Sequence, residues 1–185
     1  MTSVSDRGAS AESIQQHYDV SNRFYSFWLD ESMTHSCGLW QNDDDCSKNV
    51  AAYRRFFEKC HESLKPGAGM ALQTIGKGNV ALDERGLKDT LFIAQHIFPE
   101  SDPPRLAEML HATEKLFEVK SLVNHREHYA RTCSAWLERL QANGTEGAEI
   151  DGPEKTEVYE TYLKASIRQF RLGHANLYRI SLRRV

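Results

Sequence analysis

The stretch Lys48–Leu64, together with the residues that stop it, constrains the fold of this chain more than any other feature. Val50, Tyr53, Phe56, Phe57, Cys60 and Leu64 recur at three- and four-residue spacing, which gathers them on one face of an α-helix. Lys65-Pro66-Gly67-Ala68-Gly69 then ends the helix, because proline offers no N–H to the ladder and glycine loses the most freedom within it. The apolar run Met70–Ile75 that follows has the length and bounding turns of a buried strand. A helix followed so closely by a strand opens an order of strand, helices, strand, helices, strand along the chain. This is the order of a layered α/β domain.

The rest of the chain extends the same pattern. Helices are expected over Gly86–His96, Arg105–Leu116, Tyr129–Ala142 and Lys155–Leu172, the last with Val158, Tyr162, Ala165 and Phe170 inward and Gly173 as its cap. Phe117–His125 alternates as a half-buried strand does, with Phe117, Val119, Ser121 and Val123 on one face. Asn176–Val185 is a last strand, with Leu177, Arg179, Ser181 and Arg183 on one face and Tyr178, Ile180 and Leu182 on the other. Asn143–Gly152, rich in glycine and acid, reads as a loop, and Gly76-Lys77-Gly78-Asn79 as a turn without the spacing of a Walker loop. The fold class is therefore α/β, with few strands for its helices.

Ahead of the first strong helix, Ser10–Gln16 has the capping pattern of a helix start. Phe24, Tyr25, Phe27, Trp28 and Leu29 form an aromatic cluster that reads equally as a docking face or as the wall of a pocket for an apolar ligand. Met33–Trp40 sets a thiol, Cys37, beside a hydroxyl, Ser36, in a mainly apolar stretch. Asp43-Asp44-Asp45 reads as a solvated loop.

Charge and cysteine usage narrow the function classes. A net charge of −3 gives no reason to expect nucleic-acid binding, and Arg179, Arg183 and Arg184 read as the solvated face of a last strand. No run approaches the ~18 apolar residues of a membrane span, and Met1–Ala9 has no apolar signal core. The cysteines at 37, 46, 60 and 133 form no C-x-x-C pair, against a zinc site or a disulfide framework. A cytoplasmic setting is expected. His125 and His128 share a helical face, but no further ligand at suitable spacing supports a metal.

In order along the chain, several segments resemble the cyclopropane-fatty-acyl-phospholipid synthase and mycolic acid cyclopropane synthase family of S-adenosylmethionine (SAM)-dependent methyltransferases. They are Ile14–Asn22, Phe27–Asp30, Met33–Cys37, Phe56–Gly67, Leu72–Gly76, His96–Pro99, His128–Thr132 with Trp136, and Tyr162-Leu163. The resemblance implies methyl or methylene transfer to an unsaturated acyl lipid or a natural-product intermediate, through a carbocation that needs a dry pocket and a base. It implies a bound bicarbonate as that base, with Cys37, Tyr129, Ile75 and Gln73 at the anion site. Gln73 stands where the family has histidine, so it can hydrogen-bond an anion without carrying charge. Tyr18, His35 and Ser36 would contact SAM, His35 standing where the family has tyrosine. The family's glutamate has no counterpart.

The resemblance also exposes a gap. In the family, the Met-Thr-x-Ser-Cys segment is followed by a strand, a glycine-rich turn and a helix that bind the cofactor. Here Trp40 is followed by Gln41–Ser47 and then directly by Lys48–Leu64, and G-x-G-x-G occurs nowhere. Roughly a hundred residues of such a half-domain are missing. The expected organisation is a helical lid and substrate segment, residues 1–47, before residues 48–185 carrying the last three strands of a methyltransferase sheet. Sheet and helix faces left uncovered would suit a homo-oligomer or a complex with a full-length paralogue. The acyl substrate allows peripheral membrane contact. Three readings follow: an enzyme with impaired or altered methyl transfer, a non-catalytic module derived from a methyltransferase, and the product of a truncated gene.

Overall fold

A computed structural model describes residues 50–99 and 101–185. The elements run α1 (Val50–Ser63), β1 (Gly69–Lys77), α2 (Glu84–His96), α3 (Leu106–Ala112), β2 (Phe117–Asn124), α4 (Arg126–Ala142), α5 (Gly144–Asp151), α6 (Pro153–Leu172) and β3 (Ala175–Arg184). The sheet order is β1-β3-β2, and β3 runs antiparallel to both neighbours. β1 and β2 therefore point the same way, with their carboxyl ends at one edge of the sheet beside the start of β3. This α/β architecture matches the expected fold class.

The two faces of the sheet are treated differently. On one, α1 and α3 bring Phe57, Met109 and Ala112 onto Phe117, Tyr178, Ile180 and Leu182, with Met70 and Leu72 packed alongside. These strand residues alternate with exposed ones, as a two-residue period requires. On the other face a second cluster sits only at the carboxyl ends of β1 and β2. There α4 and α6 supply Ala130, Cys133, Trp136, Tyr162, Leu163 and Phe170 against Leu177 and Ile75. The remainder of this face, including Arg179, Ser181 and Arg183, is exposed among the described residues.

Polar links tie α6 to α2. Arg168 donates from Nε and Nη2 to the two carboxylate oxygens of the buried Asp89, at 2.8 and 2.6 Å. The buried Gln169 donates to the Gly86 carbonyl at 2.8 Å. Gly173 closes α6 in the left-handed region at φ 77°, a conformation that glycine adopts without a Cβ penalty.

Several element bounds differ from the sequence expectation, and four of the differences have a visible physical cause. Residues Gly144–Asp151 are helical rather than a loop, because α5 packs against α6 and tertiary contact overrides the weak helix propensity of glycine and aspartate. α2 begins two residues earlier than Gly86, where the Asp83 carboxylate accepts from the Gly86 N–H at 2.6 Å as an N-cap. α3 ends at Ala112 rather than Leu116; the Thr113 hydroxyl turns back to the Leu110 carbonyl, and Lys115 takes a left-handed φ of 62°. A bulge between Val119 and Ser121 breaks the alternation in β2. As a result Leu122 joins the core while Val119 and Val123 are 41% and 47% exposed.

Candidate functional site

In open α/β sheets, ligands bind outside the carboxyl ends of the strands; two of the expected site residues map to that end and a third, Gln73, to the middle of β1. Ile75 stands near the end of β1 and packs against the second cluster. Tyr129, one turn into α4, packs against the same cluster; its ring meets Trp136 edge-on at 5.9 Å and Phe170 at 4.8 Å. Gln73 lies two residues before Ile75, on the same face of β1. The structure thus gathers Ile75 and Tyr129 on one cluster, with Gln73 next along the strand. Tyr18, His35, Ser36 and Cys37 lie outside the described residues.

The surroundings of Tyr129 are dry. Burial pushes the Cys133 thiol up to about 12, so it stays protonated and behaves as a small hydrophobe. Burial also pushes the Tyr162 hydroxyl well above its usual range, and the nearby Tyr129 adds to the effect. Such a low-dielectric wall suits an apolar ligand and strengthens any charge interaction at its edge.

Gln73 has a partner that the sequence did not reveal. It pairs in register with Arg179 across β1 and β3, and Arg179 donates from Nε to the Gln73 side-chain oxygen at 2.8 Å. A permanent guanidinium charge therefore stands beside the position where the family has histidine. Both residues line a cleft of about 450 Å3 on the open sheet face, together with Ala71, Ser121, Val123 and Ser181. His125 lines it too, its ring 5.5 Å from that of His128. Among the described residues no group of three or more His, Cys, Asp or Glu could hold a metal.

The glycines at the end of β1 are closely packed, and the strand runs through Gly76 and Lys77, which had read as part of a turn. A Cβ on Gly76 would meet the Pro104 carbonyl and the Tyr178 ring at 3.0 Å, and one on Gly78 would sit 1.7 Å from the Gly173 carbonyl. Backbone and ring already fill the space that a nucleotide-binding glycine leaves for its ligand.

Comparison with known proteins places the chain. The family profile described as "Mycolic acid cyclopropane synthetase" matches residues 5–51 and 47–180. The chain belongs to this family. The two matched pieces overlap at residues 47–51, where Gln41–Ser47 runs directly into Lys48–Leu64. The cyclopropane mycolic acid synthase MmaA2 of Mycobacterium tuberculosis is 32% identical over 136 residues, 69% of this chain and 47% of that protein. The chain spans about half the length of the curated relatives it matches. The structure of MmaA2 from Mycobacterium tuberculosis superposes with a TM-score of 0.83 at 19% identity, covering 97% of this chain and all of that one. The mycolic acid cyclopropane synthase CmaA1, solved with SAH and CTAB, gives 0.82 at 17% identity over 97% of this chain and 100% of that one. At such identities the superpositions establish the fold, that of a class I methyltransferase.

Proposed function

We propose that this cyclopropane-synthase-like chain keeps the acyl- and anion-facing half of the methyltransferase site and is impaired, acting alone, in SAM-dependent methyl transfer. The substrate of the reaction from which it descends is an unsaturated acyl lipid or a related natural-product intermediate. The observation that carries this reading is the packing of Ile75 and Tyr129 against one dry cluster at the carboxyl end of β1, with Gln73 beside them on the strand. Cys37, Gln73, Tyr129 and the Ile75 carbonyl are the proposed holders of a bicarbonate. Tyr18, His35 and Ser36 are the proposed remnant of the SAM site. The absence of G-x-G-x-G from the sequence supports the impairment.

The test is label transfer from methyl-labelled SAM to phospholipid vesicles carrying unsaturated acyl chains. This chain alone is expected to transfer nothing above a protein-free blank. Transfer that scales with its concentration would refute the impairment.

A second reading is a non-catalytic module docking onto a complete paralogue. The outer edge of β1 favours it: among the described residues only Lys77, at the end of that edge, is bridged, to the Pro104–Arg105 segment, which leaves the rest of the row of backbone donors and acceptors open to another strand. Sedimentation of the chain mixed with a full-length synthase such as MmaA2 tests this. Two unshifted boundaries would rule it out.

A further inference from the structure

We propose that the cleft on the open sheet face binds a small-molecule monocarboxylate with an apolar body, gripped by Arg179. Arg179 is exposed, and its single hydrogen bond among the described residues runs from Nε to Gln73. Among the described residues the two η nitrogens have no hydrogen-bond acceptor. Such a planar fork matches the two oxygens of a carboxylate. Arg183, the next arginine on this face of β3, is already taken by Glu118, to which it donates at 2.9 Å. Among the described residues that line the cleft, the free permanent positive charge is thus a single guanidinium, suited to a monoanion.

The rest of the lining fits the remainder of such a ligand. Ser121 and Ser181 oppose each other across β2 and β3, and both are exposed with no hydroxyl partner among the described residues. Ala71 and Val123, the latter 47% exposed, give the floor an apolar surface beside the charge. The volume of about 450 Å3 lies within the ~300–1,000 Å3 of small-molecule sites. This inference does not rest on the methyltransferase reading: it needs neither SAM nor Cys37, and it holds or fails on the open face of the sheet alone.

The test is titration of the full chain with decanoate and, separately, decan-1-ol, followed through backbone amide NMR shifts. Decanoate is expected to saturate and to move the amides of Ser121, Val123 and Ser181. It should bind about tenfold or more tightly than decan-1-ol, as a charged hydrogen-bonded pair implies. Arg179→Met should lose that advantage, and Arg179→Lys should keep part of it. The comparison of the two probes on the unaltered chain needs no variant, so it decides the matter even if Arg179→Met fails to fold. Equal affinity for the two probes would overturn the proposal. So would shifts confined to other surfaces, undiminished decanoate binding by a folded Arg179→Met, or no saturable decanoate binding at all.

Discussion

Replacing Arg168 with methionine probes the link that holds α2 to α6, and its cost follows from which partner is left behind. Asp89 is 5% exposed, whereas the Arg168 side chain is 33% exposed. Removing the arginine strands a buried carboxylate whose other cation, Arg85, stands 3.4 Å away with its side chain 63% exposed. Stranding a charge in this way typically costs ~3–5 kcal/mol. Discounted for the solvent that reaches Arg168, the expectation is about 2–3 kcal/mol. That corresponds to a fall in Tm of roughly 5–10 °C for a chain of this size. Asp89→Leu leaves an arginine that can turn to water, so it should cost less, about 1 kcal/mol. The double variant should return to within about 1 kcal/mol of the original chain. Asp89 raises the Arg168 pKa. Stability from that shift is complete below the ordinary guanidinium range and is lost only as pH rises through the still higher folded value, so the effect should not vary between about pH 6 and 9. Urea unfolding followed by far-UV circular dichroism measures all three variants. Arg168→Met no worse than Asp89→Leu, or a double variant as unstable as the sum of the singles, would refute the reasoning.

Other expectations follow from the same coordinates. Gly78→Ala must push a Cβ into the Gly173 carbonyl, 1.7 Å away, and should cost about 3 kcal/mol or more by urea unfolding; a neutral result would mean that the β1 turn and the end of α6 do not abut. Cys133, pushed up to about 12 by burial, should resist iodoacetamide at pH 8 in the folded chain and react on unfolding; peptide-level mass spectrometry reads this. Lys164 holds the Glu160 carboxyl below its usual 4.5. The stability this contributes is present above pH 4.5 and lost as pH falls through the lower folded value. Glu160→Gln should remove about 0.5 kcal/mol at pH 7 and flatten that part of the acid dependence.

Much of the fold was legible because local chemistry and tertiary packing agree. The apolar spacing of α1, the Pro66-Gly67 stop and the alternation of Tyr178, Ile180 and Leu182 all state the buried face that the structure uses. Where the two disagree, the sequence misleads. The glycine-rich 144–151 segment is helical through contact with α6, and a single bulge in β2 exchanges Val119 for Leu122. Neither a long-range contact nor a register slip leaves a local signature. The candidate site shows the same division. Ile75 and Tyr129 were named from sequence resemblance, and they pack against a common cluster. Arg179 had read as a solvated arginine on a last strand, because its role beside Gln73 depends on pairing between strands about a hundred residues apart.

The central claim is that this chain retains the Ile75 and Tyr129 half of a cyclopropane-synthase site without a working SAM cradle. Isothermal titration of the full 185-residue chain with SAM tests it most directly. The account predicts a trace indistinguishable from dilution. Saturable one-site heat would contradict it.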